Sequence, residues 1–397
     1  MLKRKITIAD IRLTSLAKKY IGRVLANNRL TYGPLTEVFE KKIAKKISRR
    51  YALFVNSGTS GLTVAIQAMK ELYHWQDKDE ILVPAVTFIA TSNVVLHTNL
   101  RPVFVDVEPD YYCIDAAKIE KKISRKTRAI LPVNLFGQSA DLKTITAIAK
   151  KHHLKIIEDS CESMFVKYAG QPVGSLSDVS VFSTYATHIL TTGVGGLITT
   201  DNKKLFEVME TLIFHGRDNI YLNIDDDDNL DDESKLKQIV SRRFLYHRLG
   251  YNFRLTEMEA AIGLAQLTKI DDFVKKRQAI ARQISKTLSP FKNHLQLPKI
   301  RAGAEHGFML YPIVITNPSI KKMSLLIHLE QNGVETREFM PLLSQPIYKK
   351  IFGDIEKDYP VAQFLVKNGF IIGCHPYLKK ADIDYLGKVF NSFFHHG

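Results

Sequence analysis

The chain has 397 residues, 45% of them apolar and 24% charged, with a formal charge of +15. That length implies two to three domains, and the balance is ordinary for a globular protein. Its three cysteines, Cys113, Cys161 and Cys374, fit a reducing compartment and exclude a four-thiolate zinc or iron–sulfur centre.

The N-terminus, MLKRKITIADIRLTSLAKKY, is basic but lacks the apolar stretch and cleavage site of a signal peptide. No run of about 18 apolar residues follows, so a cytoplasmic protein without a membrane partner is expected. From residue 30 to about 215 the pattern alternates helix and strand. Pro34 opens a helix in which Leu35, Val38, Phe39 and Ile43 recur at helical spacing. A strand over 51–55 turns through NSGTSG into a helix bearing Leu62, Ile66 and Met69 on one face. Next come ILVP (strand), TFIATSNVVLHT (helix), PVFVDV (strand), a basic helix near 116–124 and AILPVNLFG (strand). DLKTITAIAKKHH reads as helix, and KIIEDS, VSVFST and GLITTD read as strands. Short apolar strands between amphipathic helices predict an α/β fold, with a mostly parallel sheet covered on both faces. Ligands of such sheets sit beyond the carboxyl ends of the strands.

Helices follow at NKKLFEVMETLIF, at TEMEAAIGLAQL and from about 271 to 289, and DDDDNLDDE (225–233) reads as a solvated loop. The last hundred residues read as a smaller α+β unit. The expected organisation is an N-terminal arm and helix (1–30), a large domain (31–270) and a small C-terminal domain (271–397). Lys and Arg are scattered, with no arginine-rich stripe, so the positive charge points to an anionic small molecule rather than nucleic acid.

Three stretches could carry chemistry. NSGTSG, between strand and helix, can offer backbone N–H groups to an anion, or be an ordinary turn. In IIEDSCE the acidic groups cluster where a strand ends, as a helix cap or as a buried carboxylate for a cationic ligand atom. In VFSTYATHILTTGVGG, Ser183 ends a strand and His188 lies five residues on; a lone histidine is more often structural.

Together, NSGTSGLTVAIQAM, VPAVTFIATSNVV, RPVFVDV, IIEDSCES, FSTYATHILTTGVGG, LGYNFRLTEMEAAIGLAQL, GVETREFMPL and GFIIGCHPYL resemble the DegT/DnrJ/StrS family of nucleotide-sugar aminotransferases. The resemblance runs from about residue 10 to the C-terminus. It implies the aspartate-aminotransferase type of fold and a pyridoxal phosphate cofactor. It also implies a phosphate cradle of Gly58, Thr59, Ser60 and Ser183, with Phe88 stacked on the cofactor ring. Asp159 would hold the pyridine nitrogen protonated, and Glu162 would lie near the phenolic oxygen. Asn252, in GYNFR, would reach the phosphate of a neighbouring subunit, implying a homodimer with shared active sites. Arg337 matches an arginine near the substrate, an ion pair with Glu335 or Glu338 being the alternative. His215, in FHGRD, is a further candidate for the substrate site, or else a charge partner at a helix end.

Position 188 departs from the family pattern. The family's Tyr-Ala-Thr-Lys ends in the lysine that tethers the cofactor covalently; here Tyr185-Ala186-Thr187 ends in His188, and residues 168–202 contain no lysine. An imidazole has no primary amine, so the cofactor is expected to be bound non-covalently. A branch resembling this family carries the same replacement: the pyridoxamine-phosphate-dependent 3-dehydratases of 4-keto-6-deoxy sugars. There His188 would act as the proton-transfer base while the C3 hydroxyl leaves. Three dispersed cysteines fit the type without an iron–sulfur centre, in which glutamate recharges the cofactor. The alternatives are a sugar aminotransferase that holds its cofactor non-covalently or has lost its lysine, and a catalytically silent nucleotide-sugar-binding relative. The retention of Asp159, Ser183 and the NSGTSG turn speaks against the silent relative.

Overall fold

The computed structural model describes residues 6–217 and 232–396. In chain order its strands begin with β1 (Tyr51–Val55), β2 (Glu80–Pro84), β3 (Arg101–Val105), β4 (Thr127–Ile130) and β5 (Lys155–Asp159). A short hairpin, β6 (Lys167–Tyr168) and β7 (Gln171–Pro172), precedes β8 (Val179–Ser183) and β9 (Gly196–Thr200). All but the hairpin join one seven-stranded sheet in the order β1-β9-β8-β5-β4-β2-β3. Its pairs are parallel from β3 across to β8, while β9 runs antiparallel between β8 and β1. Every residue of β2, β8 and β9 is buried, which is why these strands read as unbroken apolar and small-residue runs rather than as alternating ones.

A second sheet, β10 (Leu295–Gln296), β11 (Leu310–Ile315), β12 (Thr336–Glu338) and β13 (Gly369–Gly373), is antiparallel throughout, in the order β10-β11-β13-β12. Its core draws Ile280, Ile284 and Leu288 from the helix Ile270–Leu288, Leu325 and Leu329 from Lys322–Gln331, and Leu386 and Phe390 from Lys380–His396. The architecture is thus the expected α/β arrangement with a smaller α+β unit. Among the described residues, no helix is long and apolar enough to cross a membrane, and no group of His, Cys, Asp or Glu could hold a metal ion.

Three local expectations differ from the structure. The strand read over 129–137 stops at Ile130; Leu135–Gly137 is a 3-10 turn in which Phe136 takes a left-handed backbone (φ 58°), which no extended run admits. The basic helix near 116–124 is one α-turn, Ala116–Ile119, continued as a 3-10 turn over Glu120–Lys122. Most of the acidic run 225–233 lies outside the described residues, but its end is a helix start. The Asp232 carboxylate caps Glu233–Arg242, accepting from the Ser234 N–H at 3.0 Å.

The helix Gly58–Leu72 is pressed onto the ends of these strands. Gly196 pairs with both Val55 and Ser183, so β1 and β8 end level with each other on either side of the start of β9. A Cβ at Gly196 would collide with the Ser57 carbonyl and come within 2.7 Å of the Gly58 nitrogen. Gly196→Ala is therefore expected to destabilise the protein by about 1–3 kcal/mol or more through overpacking against backbone. The check is a urea midpoint that falls at unchanged slope.

Two histidines are enclosed outside this region. His306, 3% exposed, accepts the Phe308 N–H at 3.0 Å on Nδ1, and His375, 5% exposed, has no hydrogen-bond partner on either nitrogen among the described residues. Burial pushes them down to about 3 and about 4. An unfolded imidazole takes up its proton near pH 6.5 while the buried one does not. Their stabilisation is thus complete above about 6.5 and lost as pH falls toward about 4. His375→Phe should leave stability at pH 7 intact or raised and flatten this acid limb, by at most about 3 kcal/mol at pH 4. Thermal melts between pH 4 and 7 that superimpose in shape for the two proteins would contradict the assignment.

Candidate active site

Five strands that run the same way deliver residues to one cavity of about 690 Å³. Beyond β1 lie Asn56 and Ser57, beyond β2 Thr87 and Phe88, and beyond β4 Val133 and Leu135. Asp159 ends β5, with Cys161 and Glu162 just past it, and Ser183 ends β8, followed by Tyr185 and His188. The opposite wall comes from the N-terminal arm and the second sheet, through Ile8, Met309, Leu310, Arg337, Met340 and Ile371.

The floor is a helix N-terminus. Ser57 caps Gly58–Leu72 by accepting the Ser60 N–H at 3.0 Å, and the two hydroxyls lie 2.8 Å apart. Ser60 is thereby engaged with the cap, while Ser57, Gly58 and Thr59 line the cavity. First-turn N–H groups and the positive end of a 15-residue helix make this floor a site for an anion. Gly58 keeps it open: a Cβ there would sit 2.9 Å from the Cys161 sulfur and 3.1 Å from the Ser183 Cβ.

Asp159, 4% exposed, receives the Thr91 hydroxyl on Oδ2 at 2.7 Å and the Cys161 N–H on Oδ1 at 3.2 Å. Thr91 is in turn 2.8 Å from the Thr87 hydroxyl. Among the described residues no cation pairs with Asp159, and burial raises its pKa above the ordinary aspartate value. A buried carboxylate held only by neutral donors is completed by a cationic N–H. Phe88, 59% exposed, offers a ring face in the same cavity. The arrangement therefore fits a flat aromatic ring with a protonated nitrogen at Asp159 and an anionic tail at the helix N-terminus.

Glu162 behaves differently. Its Oε2 accepts the Phe136 N–H at 2.6 Å, and burial, with Asp159 nearby, pushes its pKa up to about 7. The left-handed Phe136 aims that N–H, so the turn at 135–137 also serves the site. His188 is half-buried in the cavity wall. Its N–H bonds to the Tyr185 carbonyl at 2.9 Å, and its Nδ1 lies 3.4 Å from the Thr187 hydroxyl. Burial first, and then the charge of Arg277, push the imidazole down to about 4, so it is neutral at pH 7. Among the described residues no lysine lines the cavity. The turn carrying His188 is closed by the Thr184 and Thr192 hydroxyls, 2.6 Å apart. Gly195, at φ +143°, reverses the chain where a side chain would strike both threonines.

Of the other candidates, Arg337 lines the cavity, ion-paired with Glu335 and donating to the Thr336 carbonyl at 2.8 Å; Glu338 pairs with Lys322 instead. Asn252 and His215 do not line the cavity of this chain. They lie together on the surface, both bonded to Arg254: at 2.9 Å to Asn252 Oδ1 and 3.4 Å to His215 Nε2. Sequence reasoning overlooked Ser57, Thr91, Cys161 and Ile8. Ser57 carried a cap signal, a serine just before a helical pattern. Thr91 carried none, because its partner is 68 residues away.

The DegT/DnrJ/EryC1/StrS aminotransferase family model matches residues 12–391. GDP-perosamine synthase of Caulobacter vibrioides is 31% identical over 96% of both chains. Among solved structures, the Helicobacter pylori PseC, an aminotransferase involved in the biosynthesis of pseudoaminic acid, superposes with a TM-score of 0.87 at 25% identity, covering 99% of this chain and 100% of that one. The Escherichia coli GDP-4-keto-6-deoxy-D-mannose-3-dehydratase, solved with bound hydrated PLP, does so with a TM-score of 0.88 at 26% identity, covering 97% and 100%. A cavity at the strand ends, an uncompensated carboxylate and an anion cradle accord with these likenesses, and the chain belongs to the DegT/DnrJ/EryC1/StrS aminotransferase family, of fold type I.

Proposed function

We propose that the chain is a 3-dehydratase of a nucleotide-linked 4-keto-6-deoxyhexose, using pyridoxamine phosphate held without a covalent bond. The observation that carries this reading is the imidazole of His188 in a cavity whose described wall has no lysine. Similarity to the Escherichia coli 3-dehydratase supports it.

When bound, pyridoxamine phosphate supplies an amine for the C4 ketone and a ring that accepts electrons. The helix N-terminus at Ser57, Gly58 and Thr59, with Ser183, would hold its phosphate, and Phe88 would cover one ring face. Asp159, oriented by Thr91, would keep the pyridine nitrogen protonated. Glu162 can present a protonated carboxyl to the phenolic oxygen. His188, neutral at pH 7, would accept a proton at the cofactor's C4′ carbon and then assist departure of the C3 hydroxyl. Loading the cavity with anionic phosphate and nucleotide diphosphate favours the protonated imidazole, so proton affinity rises when a base is needed. Glutamate would be oxidised to 2-oxoglutarate as C3 is reduced, and ammonia would leave on hydrolysis. Arg337 would face the substrate. Asn252 and His215, on a surface outside the cavity, would serve the site of a second subunit in a homodimer.

The test supplies glutamate and a nucleotide-linked 4-keto-6-deoxyhexose to the cofactor-loaded protein. Loss of the C3 oxygen with release of ammonia is expected, and His188→Asn should lower that rate by roughly 10²–10⁴-fold while retaining the bound cofactor's absorbance. Accumulation of an amino sugar would make the chain an aminotransferase. Absence of any turnover with cofactor bound would leave the silent relative. A borohydride-fixed cofactor in the intact-protein mass would refute the role given to position 188.

A further inference from the structure

Arg277, on the helix Ile270–Leu288, is 4% exposed. Its Nη1 donates to three carbonyl oxygens, those of Phe308 at 3.2 Å, Met309 at 3.0 Å and Cys374 at 2.8 Å. Among the described residues its buried Nε has no hydrogen-bond partner and no carboxylate pairs with the guanidinium. A buried charge without a counter-ion is costly, and such groups are ordinarily paired. Bracing three carbonyls does not by itself require a cation.

What lies between Arg277 and the cavity suggests why a cation is there. Met309 lines the cavity, and Gly307 packs so closely on the residue after His188 that a Cβ would come 2.9 Å from the Ile189 Cδ1. The intervening Phe308 is fixed by its N–H on His306 Nδ1 at 3.0 Å and by the His306 ring stacked on its own at 3.8 Å. The bonds to the Phe308 and Met309 carbonyls therefore hold a rigid segment against the back of the turn that carries position 188, and the bond to Cys374 ties the same guanidinium to the chain after β13.

We propose that Arg277 is a positioning residue for the base at position 188. Its guanidinium fixes residues 307–309 behind the turn, and its uncompensated charge acts with burial to keep a second positive charge out of the imidazole. This rests on the reading of His188 as the base. The other groups facing His188 do not supply that charge. Asp159 and Glu162 are acids, and the Cys161 thiol is kept protonated by burial. Arg337 is paired with Glu335, Glu338 with Lys322, and His306 is neutral. Burial first and then Arg277 likewise oppose ionisation of His375, which follows the Cys374 carbonyl bonded to the guanidinium.

The test follows ionisation by NMR of 13C-labelled histidine in the full-length protein without substrate, with the His188 signal assigned by its loss in His188→Asn. In the wild type His188 should remain uncharged at pH 5. Arg277→Gln should raise its midpoint by about one pH unit or more, a tenfold gain in proton affinity, while Arg277→Lys, which keeps the charge, should stay within about 0.3 unit. A purely structural role would lower the melting temperature of both variants and leave the midpoint where it was, overturning the inference. Should Arg277→Gln fail to fold, Arg277→Met is read in its place, with the same rise expected and an unchanged midpoint overturning the inference; an ordinary wild-type midpoint near 6.5 would overturn it as well. Dehydratase activity is a separate readout. Its absence beside a displaced midpoint would sink the functional reading and not the charge effect. An unchanged midpoint beside full activity would do the reverse.

Discussion

The site depends on how closely one helix end can approach three strand ends. Gly58, Gly61 and Gly196 let the N-terminus of Gly58–Leu72 sit against Ser183, Val181 and the Ser57 carbonyl at distances that leave no room for a methyl group. This contact draws together residues that are distant in sequence: the helix cap at 57–60, the carboxylate at 159 and the strand end at 183. It also aims the helix dipole into the cavity rather than at solvent. Buried strands on both sides make the contact rigid, so the anion cradle exists before any ligand arrives.

Within that frame the titratable groups are driven apart by their surroundings. Asp159 and Glu162 are three residues apart, share one cavity and are both raised by burial. Asp159 has two donors, one on each oxygen, and awaits a cation. Glu162 has a single backbone donor and titrates near 7, where it can hold or release a proton. His188 is pushed the other way, toward the neutral form. Carboxyls of different disposition beside a neutral imidazole are the pattern expected where protons move.

Much of this was legible in the residues. The unbroken apolar strands and the helices between them are visible because fully buried elements tolerate little else, and Asp159 and Ser183 stand out as polar groups where such strands stop. The reversed direction of β9 was not legible, since five buried residues read alike either way. The turn at 135–137 was hidden because Leu and Phe in LFG extend an apolar run, and only the backbone shows Phe136 left-handed. Thr91 and Arg277 act through partners 31 or more residues away and His306 through a backbone N–H, and neither spacing nor composition encodes such contacts. Arg277 sits in KKRQ on an amphipathic helix, where a charged residue is expected to face water; tertiary packing turns it inward.

On the proposed reading, an imidazole in place of an amine at 188 changes how the remaining contacts must work. A covalently tethered cofactor stays whatever its concentration. One held only by a helix N-terminus, a ring face and a carboxylate obeys mass action, and it stabilises the fold only in proportion to occupancy. None of those three contacts depends on residue 188: the cap belongs to Ser57, the open floor to Gly58 and the orientation of Asp159 to Thr91. On the proposed reading, retention and proton transfer are thus physically separate in this cavity. That separation is what allows position 188 to change its chemistry without dismantling the site around it.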